Sequence, residues 1–123
     1  MVRDPLAAFD ERVLETVAHE FDERVETVRD LVRRHQTMVR RLPGVDDIVY
    51  EWRATFPTNP VVERRPGAYY LSLPSSVWPE YVAALSLSAS ESELLRAVHR
   101  RQLDAAVGGQ PTEDREAMVL TRE

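Results

Sequence analysis

From Asp4 to Arg41 the chain contains no glycine, and no proline after Pro5. Within that stretch apolar side chains return every three or four residues. Leu14, Val17, Phe21, Val25, Val28, Leu31, Val32, Met38, Val39 and Leu42 fall on one helical stripe, joined by His35. Asp4 can cap such a helix with Pro5 at its first position, and Pro43-Gly44 stops it. One helix of that length would run about 57 Å at ~1.5 Å per residue. A domain of this size has a radius of gyration near ~13 Å. The helix must therefore break, overhang or find a partner. A break near Phe21-Asp22 is open to it, with Asp22 capping a second helix. The side chains expected to face the core are Phe21, Val25, Val28 and Val32.

After Asp46 the period changes. Ile48, Tyr50, Trp52, Ala54 and Phe56 alternate with Val49, Glu51, Arg53 and Thr55, the pattern of a half-buried strand with an aromatic inner face. Pro57-Thr58-Asn59-Pro60 turns the chain, Val61–Arg64 reads as a short second strand, and Ala68–Leu73 follows Pro66-Gly67 as a third. Ser76 opens a short helix running to about Leu85. A longer helix from Ala89 to Val107 starts at the capping boxes Ser88/Glu91 and Ser90/Glu93 and stops at Gly108-Gly109-Gln110-Pro111. The fold class expected is α+β: a long N-terminal helix, a two- or three-stranded antiparallel meander, and two C-terminal helices. Residues 1–110 are expected to form one domain, and 111–123 a loosely ordered tail, or a short element that docks only where a sheet edge is free.

At 123 residues the chain is long enough for one domain with a real core. Its cationic side chains are all arginine, sixteen of them, against 21 Asp+Glu, for a net charge of −5. That balance argues against a general nucleic-acid binder, which is expected to be strongly basic. There is one isoleucine, one asparagine and no lysine, which points to a GC-rich gene. Arginine is less hydrated than lysine and pairs bidentately with carboxylates, so the same bias suits a salt-adapted protein; codon bias alone gives the same pattern. With no cysteine there is no disulfide framework, thiolate chemistry or cysteine-based metal site. No apolar run approaches the roughly 18 residues of a membrane span, and no apolar run follows the charged N-terminus, so a cytoplasmic location without signal peptide or membrane partner is expected. The whole-chain composition is similar to that of small uncharacterised proteins of halophilic archaea, a likeness that carries no motif and implies no activity.

Residues 1–30 hold nine acids and four arginines, whereas 31–45 hold Arg33, Arg34, Arg40 and Arg41 and no acid. This complements a helix dipole. It also suits an antiparallel pair of such helices, with Glu20 of one copy opposite Arg34 of the other, so a homodimer is expected. The doublets Arg33-Arg34, Arg40-Arg41, Arg64-Arg65 and Arg100-Arg101 could bind phosphates bidentately if they met in space. Tyr81–Arg96 resembles the helix-turn-helix of transcription regulators, on the strength of Leu85-Ser86-Leu87-Ser88 as the turn. Ser86 stands where that family has glycine, Ser92 where it has an apolar residue, and the second helix opens on Glu91 and Glu93. The resemblance implies nucleic-acid contacts from Arg96, Arg100 and Arg101.

His19 and Glu23 have a spacing that can share a metal on a helix, but two such ligands make a weak site, and no metal or other cofactor is expected. His35 and His99 each lie near an arginine doublet and border an apolar stripe. Tyr50, Trp52, Tyr69 and Tyr70 could line a ligand pocket or simply fill the core. No nucleophile elbow, phosphate loop, dinucleotide fingerprint or zinc spacing is present. The reading is a non-enzymatic interaction or regulatory module, homodimeric. The alternatives are a nucleic-acid-binding regulator using the helical pair 77–107, and a small-molecule binder with an aromatic pocket. The anion-binding candidates are Arg33, Arg34, Arg40, Arg41, Arg96, Arg100 and Arg101.

Overall fold

The computed structural model describes residues 2–123. Five helices and a three-stranded antiparallel sheet follow one another as α1 (Glu11–Glu20), α2 (Val25–Arg41), α3 (Val45–Thr55), β1 (Val61–Arg65), β2 (Ala68–Pro74), α4 (Val77–Ala84), α5 (Ala89–Val107) and β3 (Arg115–Thr121). The fold class is α+β, but three of the expected elements differ.

The long N-terminal helix is two helices. Asp22 adopts a left-handed conformation, φ 53°. Around it Glu23 N–H donates to Ala18 C=O at 2.8 Å and Asp22 N–H to His19 C=O at 3.2 Å. This pair of bonds closes α1 with a Schellman motif, in a position that aspartate tolerates better than most side chains. Asp22 thus ends the first helix and does not cap the second, whose N-cap is Arg24. The break lets Val13, Leu14, Val17 and Ala18 of α1 and Val28, Leu31 and Val32 of α2 all reach one core. Phe21, expected inside, sits in the connection and is 39% exposed. Asp4 makes a local turn, accepting from Leu6 N–H at 2.8 Å, and α1 begins only at Glu11.

The expected strand at 48–56 is helix α3. Its inward residues are Val45, Ile48, Val49, Trp52 and Phe56, a stripe of helical spacing hidden within the alternation. Asp46 and Asp47 in the first turn and Arg53 in the last suit the helix dipole. Tyr50, assigned to an inner face by the alternation, is 76% exposed.

The expected tail supplies β3. The strand order is β1-β2-β3, with Leu71 opposite Met118 and Tyr69 opposite Leu120, so β2 is the central strand. Ala117–Leu120 are buried against the helices, and an apolar run of that kind is what a free sheet edge collects. The remaining elements agree with their sequence signals, except that of the two capping boxes only Ser88/Glu91 forms and Ser90/Glu93 does not. Ser88 accepts from Glu91 N–H at 3.1 Å, and Glu91 accepts from Ser88 N–H at 2.9 Å. That bond holds the Glu91 carboxyl below its usual range. Helix α5 ends at Gly108, φ 75°, where a side chain would be strained.

Candidate functional site

Three buried side chains, Gln36, Trp78 and His99, spend their hydrogen bonds on β3. In an antiparallel edge strand alternate residues turn their N–H and C=O away from the sheet, and buried groups of that kind need partners. Here three helices supply them. Trp78 Nε1 of α4 donates to Ala117 C=O at 3.0 Å. Val119 N–H donates to His99 Nδ1 of α5 at 2.9 Å. Gln36 of α2 donates to Val119 C=O at 2.8 Å and accepts from Thr121 N–H at 2.9 Å. Side chains thus stand where a fourth strand would be.

His99 Nδ1 accepts a proton-bearing N–H, so its own proton sits on Nε2. The second Gln36 amide hydrogen faces His35 Nδ1, 3.3 Å from the amide nitrogen, which places that proton on Nε2 as well. Both histidines are fully buried, and neither Nε2 has a hydrogen-bond partner among the described residues. The His35 ring lies 4.8 Å from Trp78, 4.9 Å from Tyr81 and 5.2 Å from His99, and Phe9 meets His99 edge-on at 5.2 Å. Burial pushes His35 down to about 3. Burial, and then the neighbouring His35, push His99 well below its ordinary value. These are neutral core histidines. His19 and Glu23, the other candidate pair, do not share a helix, because α1 ends at Glu20. No group of three or more metal-ligating side chains occurs among the described residues.

The arginines do not meet at one point. Arg33, Arg34 and Arg41 rim a groove of about 420 Å³ on α2, floored by Met38, Leu42 and Leu85. Leu42, read as part of the inward stripe, is 78% exposed. Arg34 donates to Leu85 C=O at 2.9 Å, which ties the groove wall to the α4–α5 turn. Arg40 turns the other way and donates to Arg3 C=O at 2.6 Å. Arg96, Arg100 and Arg101 line a second groove of about 820 Å³ together with Arg115 and four acids, among them Glu20 and Glu116. Arg96 pairs there with Glu116 and Arg101 with Glu20. The Glu20 carboxylate expected to meet Arg34 of another copy is therefore engaged within its own chain. Arg65 pairs with Glu63 and lies over the Tyr70 ring.

Of the four aromatics considered for a pocket, Tyr50 and Tyr69 border a groove of about 390 Å³ with Arg53 and Arg64, whereas Trp52 and Tyr70 are core residues. Tyr69 donates to Asp46 at 2.6 Å. Burial, and then that bond, raise its pKa. The sequence reading missed the groove on α2 because its floor residues belong to an apolar stripe whose last turn overshoots the core. The signal in the sequence is the position of Leu42, an apolar residue directly before the Pro43-Gly44 helix stop.

Residues 7–122 match the family described as a domain of unknown function, DUF8048, and the chain belongs to it. No curated protein and no solved structure matches the chain. Among the described residues no helix is long and apolar enough to cross a membrane.

Proposed function

We propose that this DUF8048 domain is a non-enzymatic interaction module that works as a homodimer, with the α2 groove as its docking surface. The observation that carries the reading is Leu42, 78% exposed beside Met38 and Leu85 and ringed by Arg33, Arg34 and Arg41. An apolar floor inside a guanidinium rim has the composition of an interface centre, where arginine is enriched and lysine is not. Covering one such leucine contributes about 1.5–3 kcal/mol. The buried histidines add to the reading, since both rings lie fully inside the core, with His99 Nδ1 taken by the β3 edge and His35 Nδ1 facing Gln36. We place the module in a salt-rich cytoplasm, because arginine-only cations and an acid excess suit that solvent.

Sedimentation velocity tests the proposal. The wild type should sediment as a dimer at tens of micromolar. Leu42→Asp should be monomeric and, at dilutions where the wild type is also monomeric, should melt as the wild type does, because an exposed side chain contributes within about ±0.5 kcal/mol to the fold. A monomeric wild type refutes the reading.

A nucleic-acid-binding role for the helical pair 77–107 has one observation in its favour. Ser86, φ 55°, takes the left-handed turn position between α4 and α5 that glycine fills in helix-turn-helix proteins. Against it, α5 opens on Glu91 and Glu93, and Arg96 and Arg101 are ion-paired. Salt-dependent binding of duplex DNA that Arg100→Glu abolishes would favour this reading over the first.

A further inference from the structure

We infer that the occupant of the α2 groove is the outer face of α3 from a second copy; the inference rests on the docking role proposed for that groove. Helix α3 keeps Val45, Val49 and Trp52 for its own core. Its other side presents Asp47, Tyr50, Glu51 and Ala54, all exposed, with Tyr50 the largest at 76%. Asp47 and Glu51 lie to one side of the Tyr50 ring and Arg53 to the other; the carboxylate side is the complement of an apolar floor flanked by guanidiniums, and tyrosine anchors interfaces well. Among the described residues, the side chains of Asp47, Glu51, Arg33 and Arg41 make no hydrogen bond or ion pair within the chain, so each charge is free for a partner. The groove carries Arg33, Arg34 and Arg41 against Asp30 alone, and so selects an acidic occupant.

The arrangement also closes on itself. Leu42 ends the groove and Val45 begins α3, so only Pro43 and Gly44 separate the groove from the helix along the chain. A twofold axis beside that junction sets each α3 against the other copy's groove and makes the same contact twice. The product is a closed dimer, not a filament.

Two reversed-charge proteins test this: Arg33→Glu with Arg41→Glu, and Asp47→Arg with Glu51→Arg. Alone, each sets like charge against like at both contacts of its own dimer, and its Kd should rise about a hundredfold. Mixed in equal amounts, they restore opposite charges at one contact and keep the native pair at the other. A heterodimer should form with a Kd within about tenfold of the wild type. Native mass spectrometry identifies it, and sedimentation measures it, at an ionic strength where all three proteins show the wild-type melt. Tyr50→Ala should raise the wild-type Kd at least about tenfold. A mixture that stays monomeric while Leu42→Asp still dissociates the wild type overturns α3 as the occupant and leaves the groove standing. Reversed-charge proteins that dimerise as well as the wild type overturn it too, and a monomeric wild type overturns both.

Discussion

The fully buried pair His35 and His99 should make the fold acid-labile well above the carboxylate range. The folded protein holds both rings neutral, with His35 at about 3 and His99 also pushed well down, because burial excludes the imidazolium and no carboxylate is bonded to either ring. The unfolded chain titrates both near ~6.5. Above that pH neither state takes up a proton and the stability is fully present. As pH falls from about 6.5 toward about 3, the unfolded state binds protons that the folded state refuses, so stability is progressively lost. Each histidine costs up to about 1.4 kcal/mol per pH unit once the unfolded chain is protonated, so two that stay neutral in the fold cost roughly 3 kcal/mol between pH ~6.5 and ~5. A small domain has only ~5–15 kcal/mol to lose.

Urea unfolding at constant ionic strength between pH ~7.5 and ~5 measures this directly. The lower half of that range should show a slope near ~2.7 kcal/mol per unit, corresponding to two protons. His35→Phe keeps a ring against Trp78 and removes one titrating group, so its slope should fall to about half. Nitrogen-15 spectra at pH ~6 should show both rings as neutral tautomers protonated on Nε2. A flat wild-type profile, or a slope that His35→Phe leaves unchanged, would refute the reasoning.

Gln36→Leu strips partners from Val119 C=O and Thr121 N–H at once and should cost about 2–4 kcal/mol in urea, against under ~1 kcal/mol if β3 were a loose tail. Ser86→Gly relieves a left-handed serine at φ 55° and should raise the melting temperature by about 4 °C, net of the added freedom of the unfolded chain; a lower melt would mean that the hydroxyl matters more than the backbone. The melting temperature should rise from low to molar salt, because Glu20, Asp22, Glu23 and Glu26 crowd the α1–α2 connection; a flat or falling trend would remove the case for salt adaptation.

Elements with a local chemical signature were legible. The Ser88/Glu91 box and Gly108 mark both ends of α5, and Pro60 and Pro66-Gly67 bracket β1. Errors arose where two periods coexist or where a position has no private signal. In α3 an alternation of five residues masks a helical stripe of five, and only the presence of a core to receive Val45, Val49 and Trp52 decides between them. At Asp22 the left-handed turn is made by a residue that also caps helices, so the break was visible but its mechanism was not. Strand β3 has only the short apolar run Ala117–Leu120 to announce it, follows a polar stretch, and is fixed by partners from distant helices: Gln36, Trp78 and His99. Such side-chain bonds have no sequence pattern, which is why the same histidines invited catalytic readings. The α2 groove was half legible. Its arginines were singled out, but their common floor depends on the α4–α5 turn bringing Leu85 beside Met38.

These same contacts bear on where a second chain can attach. A three-stranded sheet has two edges, and an open edge recruits strands from other molecules. The β3 edge is closed by the tryptophan, histidine and glutamine that bond Ala117, Val119 and Thr121. The β1 edge is short, is irregular between Val61 and Glu63, carries Glu63, Arg64 and Arg65, and lies between Pro60 and Pro66. Neither edge offers a flat row of free amides. The groove lined by Arg96, Arg100 and Arg101 is internally neutralised, with Arg96 on Glu116 and Arg101 on Glu20. The α2 groove differs from it in having an apolar floor under arginines of which Arg33 and Arg41 have no carboxylate partner among the described residues. Association through helices, with β1 and β3 left as they are, is therefore the mode that disturbs the fewest bonds already made.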